Sequence, residues 1–142
     1  MRVITLTQPW ATLVAIGAKK METRSWEVTF RGPLLIHAAK GYPRDAKEFA
    51  SSSGVISVTG MQPSDYPTGV ILAKCELVGC IRTTKEFEAA LHRDNLQEWM
   101  FGNFEPGRYA WQLQDIRRLA KPIPAKGALG LWSWFGELGE ML

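Results

Sequence analysis

The sequence predicts an α+β domain, a small closed β-barrel of about six strands with two or three flanking helices. Two observations lead to this prediction. Short apolar segments bounded by Gly and Pro recur along the chain, and brief helical patterns are spread among them at irregular intervals. Such spacing does not suit a doubly wound parallel sheet. A length of 142 residues and a hydrophobic content of 46% fit a single domain over residues 1–142.

The first part of the chain predicts two strands around a short helix. An apolar strand over Met1–Thr7 is followed by Pro9, which suits the first turn of a helix because its missing N–H is not needed there. Gly17 ends that helix, where a left-handed residue is expected. A strand over Lys20–Phe30 then leads into a turn at Arg31–Pro33.

The middle of the chain predicts a strand, a helix, a long loop and a second strand. The strand covers Leu34–Ala39, and a helical pattern covers Pro43–Ser53. The segment Ser51–Thr68 is rich in Ser, Gly and Pro and predicts an irregular loop, of a length that is often functional in compact domains. Gly69–Ile81 is the strongest strand pattern in the chain.

The last part of the chain predicts one more helix and two strands. Two threonines cap a short helix over Glu86–Leu91. A strand of alternating character follows over Arg108–Ile116, and Pro122 and Pro124 interrupt the pattern after it. The final strand covers Gly130–Phe135.

Charge and cysteine content limit the classes of partner and compartment. A net charge of +3 and a pI near 9.0 permit an anionic partner such as RNA or DNA without requiring one. Cys75 and Cys80 fall on opposite faces of one strand, which predicts reduced thiols and an intracellular protein. No targeting signal and no long apolar run is present, so we expect a cytoplasmic protein without a membrane segment. No His, Cys or carboxylate cluster has metal-ligand spacing, and we expect no cofactor.

The segment Gly17–Arg24 concentrates charge directly behind the first helix. On a regular strand, alternate side chains share one face; here these are Lys20, Glu22, Arg24 and Trp26. This face is either a solvated charge ladder, which the spacing alone favours, or the wall of a polar cleft.

The cleft alternative depends on a bend after Gly17. Glycine permits such a bend, and only then do Lys19 and Glu22 converge. Arg24 would hold Glu22 in a charge-assisted pair, which leaves Lys19 free to meet a phosphate or to polarise a carbonyl group. The same residues therefore support either binding or catalysis.

Three aromatic residues are candidates for the walls of such a cleft. Trp10 and Trp26 could flank it and stack a base, whereas the alternative role of Trp10, which its position favours, is to pack the helix onto the barrel. Tyr66 opens the strongest strand and either walls the cleft or anchors the long loop.

Other candidates lie farther along the chain. His37 is either a hydrogen-bonded residue near the core or, with Glu22 or Lys40 beside it, a general base. The last third of the chain is basic and forms either a solvated face or a rim that follows phosphates. Its basic residues include Arg108, Arg117, Arg118, Lys121 and Lys126.

The motif Gly17-x-Lys19-x-x-Glu22-x-Arg24 resembles the signature of the ASCH domain family, a branch of the PUA-like superfamily. Further blocks match in the same order. They are Gln8-Pro9-Trp10-Ala11, Ser25-Trp26, Ile36-His37-Ala38-Ala39-Lys40, Asp65-Tyr66-Pro67-x-Gly69 and the closing segment from Lys126-Gly127 to Gly130-Leu131-Trp132. The resemblance covers most of the chain and is closest to the ASCH domain of the activating signal cointegrator type, a transcription coactivator family.

The resemblance implies a PUA-like barrel with a cleft between the barrel and the first helix, along which the Gly-Lys-Glu-Arg segment lies. It implies binding of RNA or DNA, with single strands or ends favoured. The binding residues that we expect are Trp10, Lys19, Lys20, Glu22, Arg24, Trp26, Lys40, Tyr66, Arg117, Arg118 and Lys126.

The resemblance also implies an enzymatic alternative in the same cleft. Some ASCH proteins are single-strand ribonucleases, and others remove the acetyl group of N4-acetylcytidine with a nucleophilic Thr at the position of Glu22. Here Glu replaces that hydroxyl, which argues for binding over amide hydrolysis. A metal-independent enzyme would use Lys19, Glu22 and His37 as catalytic residues. A protein-interaction domain is a third interpretation.

Overall fold

A computed structural model describes residues 1–142 and shows one six-stranded sheet with short helices around it. The strands are β1 (Arg2–Leu6), β2 (Met21–Arg24), β3 (Gly32–Ala38), β4 (Val70–Arg82), β5 (Tyr109–Pro124) and β6 (Leu131–Ser133). The helices are α1 (Trp10–Ala15), α2 (Arg44–Ala50), α3 (Ser53–Thr59), α4 (Lys85–Asp94) and α5 (Leu96–Met100), with a 3-10 turn at Pro63–Asp65.

The sheet has the order β2-β5-β4-β3-β1-β6 and curls into a half-barrel. Only β1 and β3 are parallel, and the other neighbours are antiparallel. The α+β barrel class predicted from the sequence is confirmed, but strand pairing does not close the barrel. Instead Arg24 at the β2 edge donates from Nη2 to the carbonyl oxygen of Thr5 on β1, at 2.9 Å. This contact brings the charged segment beside the end of β1.

The main core fills the concave side of the sheet. Ile4, Leu34 and Ile36 are buried there with the indole of Trp111, and α1 adds Ala11 and Val14 from the side. Five consecutive residues of α1, Ala11–Ala15, are buried, so this short helix is enclosed nearly all round, as expected of a helix that is apolar on most sides. This packing fixes the position from which Gly17 and Lys19 leave the helix.

Several predicted boundaries are confirmed. Gly17 follows α1 with φ of +79°, the left-handed conformation that turns the chain back towards the sheet. Thr84 Oγ1 caps α4 by accepting a hydrogen bond from the Phe87 amide at 3.0 Å. The predicted helix over Pro43–Ser53 and the strand over Gly69–Ile81 correspond to α2 and β4.

The predicted strand over Lys20–Phe30 is wrong beyond Arg24. The next residues have no strand partner, and Arg31 holds them in an irregular path by donating to the carbonyl oxygens of Val28 and Phe30, both at 2.9 Å. The alternation of apolar and polar residues continues past Arg24, but the neighbouring strand is not there to pair with it.

The predicted loop over Ser51–Thr68 is also wrong, since it contains α3 and the 3-10 turn. Ser, Gly and β-branched residues give α3 a poor intrinsic helix propensity. Tertiary packing overrides it, because Val55 is buried against Leu13 of α1 and Phe101. Together with α5, which no sequence pattern indicated, this raises the number of helices to five.

The strand predicted over Arg108–Ile116 continues through Pro122 to Pro124. Because β2 is short, it pairs with β5 only as far as Gln112. Beyond that point this side of β5 meets only the C-terminal segment, at a bridge between Leu119 and Met141, and no strand pairs with it at Pro122 and Pro124. That part of β5 is an edge, where a residue without an N–H is tolerated. The prolines therefore do not interrupt the strand as the sequence suggested.

Both cysteines are free thiols on β4, as predicted. Cys75 is buried and Cys80 is half-buried. Burial raises the pKa of the Cys75 thiol to about 12, so this group is unreactive near neutral pH.

Candidate nucleic-acid interface

A cleft of about 500 Å³ lies between α1 and the ends of β1 and β2 on one side and the loop after α5 on the other. We call it the Lys19 cleft. Its lining residues are Thr5, Leu6, Thr7, Trp10, Lys19, Glu22, Thr23, Arg24, Phe49, Met100, Phe101, Gly102, Asn103 and Arg108. Of the residues predicted to bind nucleic acid, the structure brings together Trp10, Lys19, Glu22 and Arg24 here.

Lys19 is almost completely buried at the floor of this cleft. Its side chain is 1% exposed, and its Nζ lies 3.5 Å from Oε2 of Glu98, which is 4% exposed. The ammonium also lies 5.4 Å from the centre of the Phe104 ring. The bond to Glu98 is the only hydrogen bond that Nζ makes within the protein, although an ammonium carries three donors. The remaining donors are available to an acceptor atom in the cleft.

Glu98 holds the segment that carries Lys19. Its carboxylate accepts hydrogen bonds from the amide of Lys20 at 2.6 Å and from the amide of Met21 at 3.4 Å. Its own amide donates to Oδ1 of Asn95 at the start of α5. Sequence analysis missed Glu98, and the only local signal is the capping residue Asn95, which marks a helix but not its burial.

Gly102 allows the loop after α5 to pass close to Lys19. A Cβ at this position would lie 2.9 Å from Nζ of Lys19 and 2.6 Å from Cε2 of Phe104. Both distances are shorter than real side-chain contacts. A glycine is therefore needed here if the ammonium is to keep its place.

Glu22 and Arg24 form the ion pair that the sequence predicted. Nη2 of Arg24 lies 3.0 Å from Oε2 of Glu22, and Nε donates to the same oxygen at 3.1 Å. Both side chains are partly buried, at 25% and 13% exposure for Arg24 and Glu22. Because Arg24 also binds Thr5, the Glu22 carboxylate is fixed at the cleft wall.

Arg108 is a further cation of the cleft, which the sequence indicated only as one of several basic residues in the last third of the chain. Its Nη2 donates to the carbonyl oxygen of Thr23 at 3.3 Å, whereas its buried Nε has no partner. No carboxylate pairs with it. Lys19, Arg24 and Arg108 face only two carboxylates, those of Glu22 and Glu98, so the site carries one net positive charge.

An aromatic pair lines the same cleft as these charges. Trp10 and Phe49 stack with ring centres 5.0 Å apart and planes 7° from parallel, and Phe101 meets Phe49 edge-on. Trp10 is half-buried, and it both packs against α2 and lines the cleft. Trp10 therefore packs α1 against α2 instead of onto the barrel, and its stacking of a base stays a prediction.

A second depression, of about 1130 Å³, lies on the other side of Thr5, and we call it the His37 groove. Thr5 borders both the cleft and the groove. Two predicted binding residues, Lys40 and Lys126, lie here instead of in the cleft. The residues of the groove are Thr5, His37, Ala39, Lys40, Thr68, Gly69, Pro124, Ala125, Lys126, Gly127, Ala128 and Leu129.

Both ring nitrogens of His37 have hydrogen-bond partners. Its Nε2 lies 2.7 Å from the carbonyl oxygen of Ala125 and must donate to it. The indole of Trp132 donates to Oγ1 of Thr5, and this hydroxyl can donate to Nδ1 of His37 at 3.1 Å. Burial lowers the pKa of His37 and so favours the neutral ring that this network accommodates. With both nitrogens occupied, and in a different depression, His37 is not brought together with Lys19 and Glu22.

The remaining predicted residues lie apart from the cleft. Trp26 packs edge-on against Trp111, with ring centres 4.8 Å apart. Tyr66 is buried, and its hydroxyl lies 3.0 Å from that of Thr59, so it anchors the segment before β4. The other three are the exposed residues Lys20, Arg117 and Arg118, none of which lines the cleft.

Two further classes of feature are absent. No group of three or more His, Cys, Asp or Glu side chains is placed to hold a metal ion. None of the helices combines the length and the apolar character that a bilayer crossing requires.

Comparisons with known proteins agree with this architecture. The chain is 32% identical over 132 residues to activating signal cointegrator 1 of Mus musculus, and the matched region covers 91% of this chain and 21% of that protein. It is 33% identical over 88 residues to activating signal cointegrator 1 of Homo sapiens, and this matched region covers 60% of the chain and 15% of that protein. The chain thus spans about a fifth or less of these relatives.

A solved structure shares the fold. The ASCH protein of Zymomonas mobilis superposes with a TM-score of 0.50 at 16% identity, over 87% of this chain and 72% of that one. The family model described as "ASCH domain" matches residues 4–123, which include β2, β3 and β4, most of β1 and β5, and all residues of the Lys19 cleft. This chain belongs to the ASCH domain family.

Proposed function

We propose that the Lys19 cleft binds single-stranded nucleic acid, with RNA as the first ligand to test. The observation that carries this proposal is the buried Lys19 ammonium, which makes one hydrogen bond within the protein and lines the same cleft as a stacked aromatic pair. A buried donor with free capacity attracts a polar acceptor, and a partly exposed indole offers a flat surface to a base. The ASCH family is associated with RNA binding, which fits the same ligand.

Each side of the cleft suits one part of a nucleotide. Trp10 can stack a base, which contributes about 1–3 kcal/mol per base in single-strand binding proteins. Lys19 can donate to a carbonyl oxygen of the base or to a phosphate oxygen. Arg108, which has no carboxylate partner, suits a phosphate. A volume of about 500 Å³ is within the range of small-ligand sites.

The same geometry favours binding over turnover. A general base must reach the proton that it removes, yet Glu22 is engaged by Arg24 and Glu98 is engaged by two backbone amides. His37 lies outside the cleft with both nitrogens hydrogen-bonded. A ribonuclease or modified-nucleoside hydrolase in this cleft would therefore have to release one of these carboxylates first.

Fluorescence anisotropy with a labelled octaribonucleotide at low salt tests the proposal. We expect saturable binding that weakens as salt increases, and an Arg108→Ala variant that binds more weakly with a salt slope reduced by about 0.7. Arg44→Ala is the matched control because its guanidinium is exposed on α2, outside the cleft. Absence of binding, or equal losses in both variants, would contradict the proposal.

A further inference from the structure

We propose that the His37 groove is a second subsite for the strand that the Lys19 cleft binds, so that the ligand is an oligonucleotide and not a free nucleoside or mononucleotide. This inference rests on the proposed function of the Lys19 cleft. The groove takes the sugar-phosphate backbone of the nucleotides next to the one held in the cleft.

The first argument is continuity. Thr5 separates the cleft from the groove, and it contacts both. Its carbonyl oxygen accepts the bond from Arg24 on the cleft side, while its hydroxyl belongs to the His37 network on the groove side. A chain that leaves the cleft past Thr5 therefore enters the groove directly.

The second argument is charge. The groove is lined by Lys40 and Lys126 and by no Asp or Glu. Both lysines are exposed, and neither forms a salt bridge. Two unpaired ammonium groups beside a cleft that already carries one net positive charge extend a positive track, which suits successive phosphates of one strand.

The third argument is the floor of the groove. A Cβ on Gly127 would lie 2.9 Å from Cε1 of His37 and 3.0 Å from Oγ1 of Thr5, so only glycine lets the backbone next to Lys126 lie this close. Beneath it, the hydrogen bonds of His37 leave a neutral, internally satisfied surface. Because the polar atoms of this floor are already hydrogen-bonded, the ligand does not have to supply partners for them. This suits a sugar-phosphate backbone that is held through its phosphates.

An acidic peptide is the other polymer that two lysines could attract. The shared border at Thr5 favours the nucleic-acid strand, because the groove then continues a site that has an aromatic wall for bases. The experiment below separates the two ligands.

The test compares a labelled diribonucleotide with a labelled octaribonucleotide on the full chain, in the wild type and in the Lys40→Ala/Lys126→Ala double variant. We expect the wild type to bind the octamer more tightly than the dimer. In the double variant we expect this gain with length to disappear and the salt slope for the octamer to fall by about 1.4, the value for two lost contacts to a single strand. Binding of the dimer should not change.

Lys85→Ala/Lys121→Ala is the matched control, since it removes the same charge from exposed lysines outside both depressions. Two results would overturn the second subsite. One is that the two double variants bind the octamer with the same affinity, whether reduced or not. The other is that the wild type binds the octamer no more tightly than the dimer. If the wild type bound neither oligonucleotide, the proposed function of the Lys19 cleft would fail. If the wild type bound a labelled oligoglutamate and the Lys40→Ala/Lys126→Ala variant did not, the groove would instead be a site for a protein partner.

Discussion

The ammonium of Lys19 lies 3.5 Å from the carboxylate of Glu98, and both side chains are almost completely removed from water. The two residues are 79 positions apart, and their contact joins the end of α1 to α5. The same carboxylate accepts two backbone amides, so Glu98 is satisfied while Lys19 keeps free donors. The pair therefore presents a fixed positive group at the cleft floor.

The Lys19–Glu98 pair should make a measurable contribution to the free energy of unfolding. Glu98→Gln leaves the Lys19 charge buried without its partner, and breaking such a pair costs about 3–5 kcal/mol. The double variant Lys19→Met/Glu98→Gln removes both charges. Its loss of unfolding free energy, measured by urea denaturation, should therefore be smaller than the sum of the losses in the two single variants. A double variant that loses the full sum would show that the two charges do not interact.

Trp10 should account for most of the stacking energy. Trp10→Ala is expected to weaken binding of a labelled octaribonucleotide by about 5- to 150-fold, the equivalent of about 1–3 kcal/mol. Trp26→Ala is the control, because this indole is also partly exposed but packs against Trp111 outside the cleft. Equal effects of the two substitutions in the anisotropy titration would refute a stacking role for Trp10.

Gly102 should be essential for the position of Lys19. In Gly102→Ala the new methyl group meets both Lys19 and Phe104, so the ammonium or the loop must move and binding in the cleft should fall. Gly54→Ala is a matched control, since a Cβ on this α3 residue meets nothing within 4 Å. Thermal unfolding separates a local shift from a global loss of structure, and a Gly102→Ala variant with full affinity would contradict this role.

His37 should make stability depend on pH near neutrality. Its pKa in the folded protein is lowered from the ordinary value of about 6.5 mainly by burial, so between the two values the unfolded chain binds more protons. The contribution of the neutral His37 ring to the free energy of unfolding is therefore fully present above a pH of about 6.5 and is lost as the pH falls below this value. Urea midpoints measured from pH 7.5 to 5.0 should fall at about this point.

His37→Gln provides the control for that pH dependence. The amide can still donate to the Ala125 carbonyl oxygen but does not titrate, so the decline between about pH 6.5 and 5 should become shallower. An unchanged profile in this variant would assign the decline to other groups.

Local signals predicted the parts of the fold that local physics determines. The apolar pattern of α1, the left-handed Gly17 and the pair of Glu22 with Arg24 all depend on residues within a few positions of one another. The alternation of side chains along β2 correctly predicts that Glu22 and Arg24 lie on the same face. The alternation does not indicate where pairing with β5 stops, and the predicted strand is therefore too long.

The rest of the site depends on contacts between distant segments. Glu98 lies in a short polar helix whose burial only the fold reveals, and Arg108 is left without a salt bridge because the nearby carboxylates are taken by Arg24 and Lys19. Composition likewise does not say which side of the sheet a basic residue occupies. Lys126 borders the His37 groove, whereas Arg117 and Arg118 lie beside a separate depression at the end of α1.

The most direct measurement of the central claim is a titration of the 15N-labelled chain with an unlabelled single-stranded tetraribonucleotide, followed through the indole N–H signals of its six tryptophans. If the Lys19 cleft binds the strand, the Trp10 signal shifts progressively, while the signal of Trp26 stays in place. A shift at Trp26 with none at Trp10, or no shift at any indole when the RNA is in excess, would contradict binding in this cleft.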